Sequence, residues 1–391
     1  MEKGGTNMPA LYIHLPFCTK KCAYCDFASY PGREADFGRY IERVGEEMRA
    51  AKETWGKMPV ETIFIGGGTP SLLPGEAVMR LLAMARARFD VDPEAEITCE
   101  ANPGTVDPEK LRDYRDAGVN RLSFGAQAAQ DGLLAQLGRI HTWQDVVQAL
   151  EWSRQAGFRN LSVDLMYGLP GQDMRQWVET VEKALKLPVV HMSLYSLIVE
   201  PGTPLAKRIG EGEIAVPPDE LSLKMRSAAE RILARRGFAR YEISNYCMPG
   251  WECRHNITYW TRGEYLGVGC AAHSLMCGER FENPRDLDAY LAGAGYQNRQ
   301  KIPIREAMEE AIMLETRMSK GMDLQCFHQK YGVDLLNSCK TAVNRLESLQ
   351  MVRISDGHLH LTDRGMDVQN AIVIQLVSAL SNIVKQCDTI Q

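Results

Sequence analysis

The chain has 391 residues, 45% of them hydrophobic, and a formal net charge of −5, which is ordinary for a soluble globular protein and long enough for roughly two or three domains with a large core. Mild acidity excludes a general electrostatic attraction to nucleic acid and leaves only local basic patches to provide one. Eleven cysteines over this length exclude a small secreted disulfide scaffold; with no secretory apolar segment, they fit free thiols in a reducing compartment, the cytoplasm.

The opening MEKGGTN contains no apolar run, and residues 1–10 read as a flexible tail. LYIHLPF, from Leu11, reads as the first strand, and Cys18, Cys22 and Cys25 follow it in the short polar loop CTKKCAYC. Thiolates this dense can converge on one soft inorganic centre, and three ligands leave a metal position open to a substrate or cofactor. Two blander readings stay open at this point. The three cysteines could simply be buried, or zinc could bind them with His14 as a fourth ligand, although His14 lies inside an apolar run.

From here apolar strands alternate with helical segments. The first strand is followed by a helix around Phe37 to Thr54, ETIFIGGG by Gly75 to Phe89, and EITCEAN by Pro108 to Ala117. VNRLSFGAQ precedes a longer excursion and a helix from Trp143 to Ala156, LSVDLMYGL precedes Met174 to Leu185, and VVHMSLYSL precedes Pro218 to Arg236. Successive β-then-α units imply a parallel sheet, since parallel neighbours need a crossover and the helix supplies it. A doubly wound sheet alternates in the same way. The strand ends favour a full or partial barrel, because unusual polar residues stand at or near each: Cys18, then Gly66-Gly67-Gly68-Thr69, Glu100 with Asn102, Gln127, Asp164, and Tyr195 with Ser196. Carboxyl ends of successive strands converge on one mouth only if the sheet curls.

Three consecutive glycines remove every β-carbon beside the second strand end, so main-chain groups can approach a ligand closely; a tight turn before Pro70 is the simpler alternative. Glu100 and Asp164 are costly at a buried strand unless paired, either with a barrel-lining arginine or with ribose hydroxyls and an ammonium. Beyond Pro284 the character changes: Ile304 to Ser319 reads as an amphipathic helix, followed by two helices, a two-stranded wing around Asp356-Gly357 and a final packed helix that includes AIVIQLVSAL. This winged-helix-like pattern is a familiar DNA-binding form. Its second helix, NSCKTAVNRLESL, offers only Lys340 and Arg345 to phosphates, so packing or acceptor docking is the better reading and no nucleic acid partner is expected.

C-x3-C-x2-C resembles the signature of the radical S-adenosylmethionine (SAM) superfamily. YIHLPFC, GGGTPS, TCEANPGT, RLSFGAQ, GRIHT, VDLMYGLPGQ, YSLIVEPGTPL and CRHNITYW together resemble the oxygen-independent coproporphyrinogen III oxidase family, and within it the HemW-type haem chaperones. The resemblance implies a partial (β/α)6 barrel over 11–245, a connector over 246–303 carrying HNITYW, and a smaller C-terminal domain over 304–391. It implies that Cys18, Cys22 and Cys25 bind a [4Fe-4S] cluster. SAM contacts would come from Tyr12, Tyr24, Gly67, Gly68, Thr69, Glu100, Gln127, Arg139 and Asp164. Cluster reduction by a donor such as flavodoxin or ferredoxin would cleave SAM to methionine and a 5′-deoxyadenosyl radical.

Phe27 stands where that oxidase carries a further cysteine, and the oxidase has a longer segment ahead of its cluster. Both departures favour a haem chaperone that binds cluster, SAM and haem and passes haem to acceptor proteins, with a homodimer among the expectations. In HNITYW and just ahead of it, His255 and Cys253 are candidate axial ligands and Tyr259 and Trp260 candidate packing groups for a flat macrocycle; Cys270 and His273 are further candidates. The alternative to ligation is that His255 and Asn256 hold a turn while Tyr259 and Trp260 pack in a core. The alternative functions are a radical SAM enzyme acting on a porphyrin or other small molecule, by oxidative decarboxylation, methyl transfer or cyclopropanation, and, more remotely, a DNA-binding iron–sulfur regulator.

Overall fold

The computed structural model describes residues 8–388, so residues 1–7 of the expected tail lie outside it. The chain divides into two compact units, the first comprising Met1–Ala239, Ser244–His255 and Glu264–Gln300, the second Arg240–Ile243, Asn256–Gly263 and Lys301–Gln391.

In the first unit six strands, β1 (Ala10–Leu15), β2 (Pro59–Gly67), β3 (Asp90–Ala101), β4 (Arg121–Gln127), β5 (Asn160–Tyr167) and β6 (His191–Ser196), lie side by side in chain order. Every neighbouring pair is parallel. Helices α1 (Phe37–Trp55), α2 (Gly75–Arg88), α3 (Pro108–Ala117), α4 (Trp143–Gln155), α5 (Met174–Ala184) and α6 (Asp219–Ala234) follow the strands in turn. Strand order that follows chain order settles what alternation alone left open. Right-handed crossovers between sequential neighbours put all the helices on one face, so the other face must curl inward as the lining of a barrel. The barrel is open: a later strand, Tyr265–Val268, pairs parallel to β1, and Asn245–Cys247 pairs antiparallel to β6.

The period-two alternation of each strand then divides its side chains. Leu11, Ile13 and Leu15, Ile63 and Ile65, Leu122 and Phe124, and Val163 and Leu165 face the helices. There they pack with Val44, Met48, Leu81, Leu82, Tyr114, Leu150, Trp177 and Val181 in one buried cluster. Full burial of a leucine such as Leu81 or Leu82 contributes about 1.5–3 kcal/mol. The alternate positions, Thr62, Glu96, Thr98, Arg121, Ser123, Ser162, His191 and Ser193, give the inner face a buried polar lining. Local signals start and stop the helices: Asp107 caps α3 ahead of Pro108, Gly118 ends it in a left-handed conformation, and capping boxes open α4 (Thr142 with Asp145) and α5 (Asp173 with Gln176).

The stretch 246–303 does not form a separate connector. Residues 264–300 belong to the first unit, because Tyr265–Val268 extends the barrel sheet and His273–Met276 and Glu279–Glu282 continue it antiparallel. A short helix, α7 (Arg254–Trp260), begins in the first unit and runs into the second.

The second unit has its own core, with Met308, Ile312, Phe327, Leu335, Val343, Leu346, Leu359, Ile372 and Leu376 buried together. It contains α8 (Ile304–Glu315), α9 (Leu324–Tyr331), α10 (Lys340–Ser348) and α11 (Gln369–Asp388). The wing is Val352–Ser355 paired with His358–Leu361, turning at Asp356 (φ 52°) and Gly357 (φ 75°), the paired positive angles that suit the twist of a tight hairpin. A short third strand, Met322–Asp323, adds to it. Among the described residues no helix is long and apolar enough to cross a membrane.

Candidate radical SAM site

A cavity of about 160 Å³ opens among residues from the carboxyl ends of the strands, and Cys18, Cys22 and Cys25 all line it. So do Tyr24, Gly67, Gly68, Thr69, Glu100, Gln127, Arg139 and Asp164. Residues scattered over almost 150 positions in the chain meet there because parallel strands in sequential order present the same end to one mouth.

Tyr12 is the exception. It points into the barrel but does not line the cavity; its hydroxyl pairs with His14 Nδ1 at 3.0 Å, and its ring lies 6.2 Å from that of Phe64. His14 is occupied on both sides, because its Nε2 pairs with the carbonyl of Ala28 at 3.1 Å. The zinc reading loses its fourth ligand by this geometry, since both ring nitrogens of His14 are engaged.

Main-chain geometry shapes the cavity wall. Gly67 has φ 117°, and its N–H donates to Glu100 Oε2 at 3.0 Å. A β-carbon on Gly68 would stand 2.5 Å from the carbonyl oxygen of Phe17 and 3.0 Å from Cys18 Sγ. Gln127 adopts φ 63° where the pairing of β4 and β5 shifts register. That is a strained conformation for a side chain without special turn chemistry, and strain of this kind collects at functional sites.

Donors surround the sulfurs. Arg139 Nη1 donates to Cys22 Sγ at 3.4 Å and its Nη2 to the carbonyl of Gly125 at 2.8 Å, while Thr69 Oγ1 donates to Cys18 Sγ at 3.5 Å. Arg139 Nε is buried without a hydrogen-bond partner. Burial pushes the thiols of Cys18 and Cys25 above their usual pKa. A cationic iron centre would reverse that, since metal-bound thiols are deprotonated.

Two carboxyls, Glu100 and Asp164, also line the cavity. Burial, with Asp164 nearby, pushes Glu100 up to about 7, against the pull of the Gly67 N–H and the Arg121 charge. Asp164 is raised by burial and opposed by Ser193, Arg121 and Ser123, whose Oγ donates to it at 3.2 Å. Arg121 is thus the barrel-lining arginine whose charge offsets both acids. Such a set, two acids, a directed guanidinium, open main chain and three thiols, has the donors for an iron–sulfur cluster and for a ligand carrying both an ammonium and a carboxylate.

The haem candidates are placed elsewhere. His255 and Cys253 are fully buried. His255 Nδ1 pairs with Thr62 Oγ1 at 2.9 Å, its ring lies 5.1 Å from Phe64, and burial pushes its pKa down to about 3. Cys253 Sγ reaches Glu96 Oε1 at 3.5 Å, and the same carboxylate accepts the N–H groups of Arg254 and His255, each at 3.1 Å. Neither residue presents a ligand atom to solvent, so axial ligation by either requires the first turn of α7 to leave the barrel. Trp260 carries the Arg317 guanidinium 4.4 Å above its ring, which occupies one face, and Tyr259 is half-buried. Cys270 is buried against the carbonyls of Pro284 and Arg285, and His273 is exposed and paired with Glu282.

The site also contains residues the sequence reading passed over: Ser123 and Gly125 on the cavity wall, and His141, which pairs through Nδ1 with Asn102 Oδ1 at 3.1 Å. The signal for the first two was present. In RLSFGAQ the alternation that places Gln127 inside also places Arg121, Ser123 and Gly125 there.

Residues 12–184 match the Radical SAM superfamily and 302–368 the HemN C-terminal domain. The heme chaperone HemW of Bacillus subtilis is 35% identical over 371 residues, covering 93% of this chain and 98% of the relative. The chain belongs to the HemW family. HemW of Escherichia coli is 40% identical over 268 residues, covering 68% of this chain and 70% of that one. Coproporphyrinogen III oxidase (HemN) of E. coli superposes with a TM-score of 0.82 at 20% identity, over 94% of this chain and 90% of the enzyme, and so shares the fold with the HemW family.

Proposed function

We propose that this chain is a haem chaperone that holds a [4Fe-4S] cluster through Cys18, Cys22 and Cys25, binds SAM in the adjoining cavity, and passes haem to acceptor proteins. The observation that carries the reading is the match along 98% of the Bacillus HemW; the cavity joining three thiols to Glu100, Arg139 and Asp164 supports the cofactors. When bound, the cluster and SAM supply one-electron chemistry, and the protein's share is positioning and exclusion of solvent. Arg139 places a cation against Cys22. Glu100 and Asp164 provide acceptors, and the glycine strand end lets main-chain groups approach. Phe27 is 60% exposed at the cavity edge, where a fourth thiol would otherwise stand.

A one-electron donor protein of the flavodoxin or ferredoxin kind, a cytoplasmic setting and a homodimer complete the proposal. Haem titration of anaerobically reconstituted protein tests it. A stoichiometric Soret band is expected, and its absence overturns the chaperone reading. A second reading, turnover of SAM on a porphyrin, is favoured by Glu100, Gln127, Arg139 and Asp164 lining the cavity beside the three thiols. Product analysis with reduced protein, SAM and coproporphyrinogen III decides it, and protoporphyrinogen formation would replace the first reading with the second.

A further inference from the structure

The loop after Cys25 is pinned carbonyl by carbonyl. Arg285 Nη2 donates to the carbonyl of Asp26. Lys21 Nζ at 3.0 Å and Ser29 Oγ at 3.4 Å donate to that of Phe27, and His14 Nε2 pairs with that of Ala28 at 3.1 Å. Lys21, Ser29 and His14 are local, whereas Arg285 reaches back from more than 250 positions along the chain. It also lies outside residues 12–184, the part matched to the Radical SAM superfamily.

Arg285 is itself held. Its carbonyl accepts the Tyr30 hydroxyl at 2.5 Å and Cys270 Sγ at 3.1 Å. Cys270 N–H donates to Tyr40 Oη at 2.8 Å, and the Tyr40 hydroxyl donates to the carbonyl of His14 at 2.6 Å. Beneath this, the Glu47 carboxylate is 4% exposed and accepts from Gly269 N at 2.9 Å, Asn283 Nδ2 at 2.6 Å and the Tyr290 hydroxyl at 2.8 Å. A buried carboxylate is costly unless its lone pairs are satisfied. Here its donors come from both ends of the hairpin Cys270–Asn283, so Glu47 sets the hairpin and the hairpin sets Arg285.

We propose that Arg285 is a positioning residue for the cluster: a guanidinium clasp that fixes the main chain following Cys25 and lowers the energy of the more negative, reduced centre. The inference rests on the reading of Cys18, Cys22 and Cys25 as cluster ligands. Two physical effects meet in it. Groups that orient a ligand loop raise metal retention, and charge beside a cluster moves its potential. A charge-assisted hydrogen bond lost from such a loop corresponds to roughly a tenfold change in retention.

The test compares the full-length chain with Arg285→Gln and Arg285→Lys. In the metal-free chain, amide exchange over residues 22–28 should accelerate in R285Q while the unfolding midpoint stays unchanged, since Arg285 is exposed. In reconstituted protein R285Q should release iron to a chelator about tenfold faster and show a more negative midpoint potential, and R285K should keep the potential while losing part of the retention. Exchange and potential both matching the parent chain would overturn the proposal. Should R285Q misfold, R285K decides alone: a parent-like rate of iron release refutes the clasp. Failure of the parent chain to take up four irons would sink the cofactor reading instead, and the metal-free exchange measurement would still judge the clasp.

Discussion

Gly68→Ala adds one methyl group to the wall between the second strand and the cysteine loop. Gly68 is not among the positive-φ positions, so its backbone angles suit alanine and the cost is steric. The new carbon would lie 2.5 Å from the carbonyl oxygen of Phe17, where ordinary contact begins near 3.4 Å, so one main chain must retreat by about 0.9 Å. That carbonyl is already engaged, accepting the N–H of Thr69 at 2.7 Å, and Gly68 N–H donates to the carbonyl of Leu15 at 2.8 Å. Overpacking against backbone costs about 1–3 kcal/mol, and losing one of the hydrogen bonds adds about 1 kcal/mol. A total near 2–4 kcal/mol should lower the urea midpoint clearly, and displacement of Cys18 should reduce iron uptake on reconstitution. Gly38→Ala is the control: Gly38 lies in α1, nothing stands within 4 Å of its added carbon, and alanine there should stabilise slightly. A G68A protein that unfolds at the parent midpoint and loads iron fully would refute the close-approach account of the glycine run.

Glu100, pushed up to about 7 by burial beside Asp164, should make SAM affinity rise with pH between about 6 and 8, because only the ionised carboxyl attracts an ammonium; calorimetry in buffers of different ionisation heat should show the released proton, and Glu100→Gln should flatten the profile. Glu96→Ala removes the carboxylate that accepts the N–H groups of Arg254 and His255, so stability should fall by about 1–3 kcal/mol, and a parent-like urea midpoint would show that these hydrogen bonds contribute nothing. His14 and His141 are pushed down by burial to about 4, His255 to about 3, and His191 well below the usual range. Each binds a proton less readily folded than unfolded, so its contribution is full above about 6.5 and is lost as pH falls through the folded values. Glu100 acts oppositely, contributing below about 4.5 and losing that contribution as pH rises through 7. Urea midpoints between pH 7 and 4 should therefore decline more steeply in Glu100→Gln than in the parent, and an equal or shallower decline would contradict these assignments.

The sequence by itself determined the local and periodic features. The three-cysteine loop, the strand ends carrying Gly67, Glu100, Gln127 and Asp164, and the helix boundaries at Asp107, Thr142 and Asp173 all follow from short-range rules: caps, alternation and ligand spacing. Alternation alone could not tell a barrel from a doubly wound sheet, and the polar strand ends only favoured the barrel. Strand order decided that, and order is a long-range property of how crossovers stack. Nor could spacing say that residues 264–300 continue the barrel sheet, since pairing with β1 joins positions some 250 residues apart. For the same reason His255, in sequence either a candidate axial ligand or a turn-holding residue, is found folded against Thr62 and Phe64, and Arg285, silent in sequence, is found on the carbonyl of Asp26. The cysteine motif declares which atoms can hold iron; the tertiary structure decides what holds the cysteines.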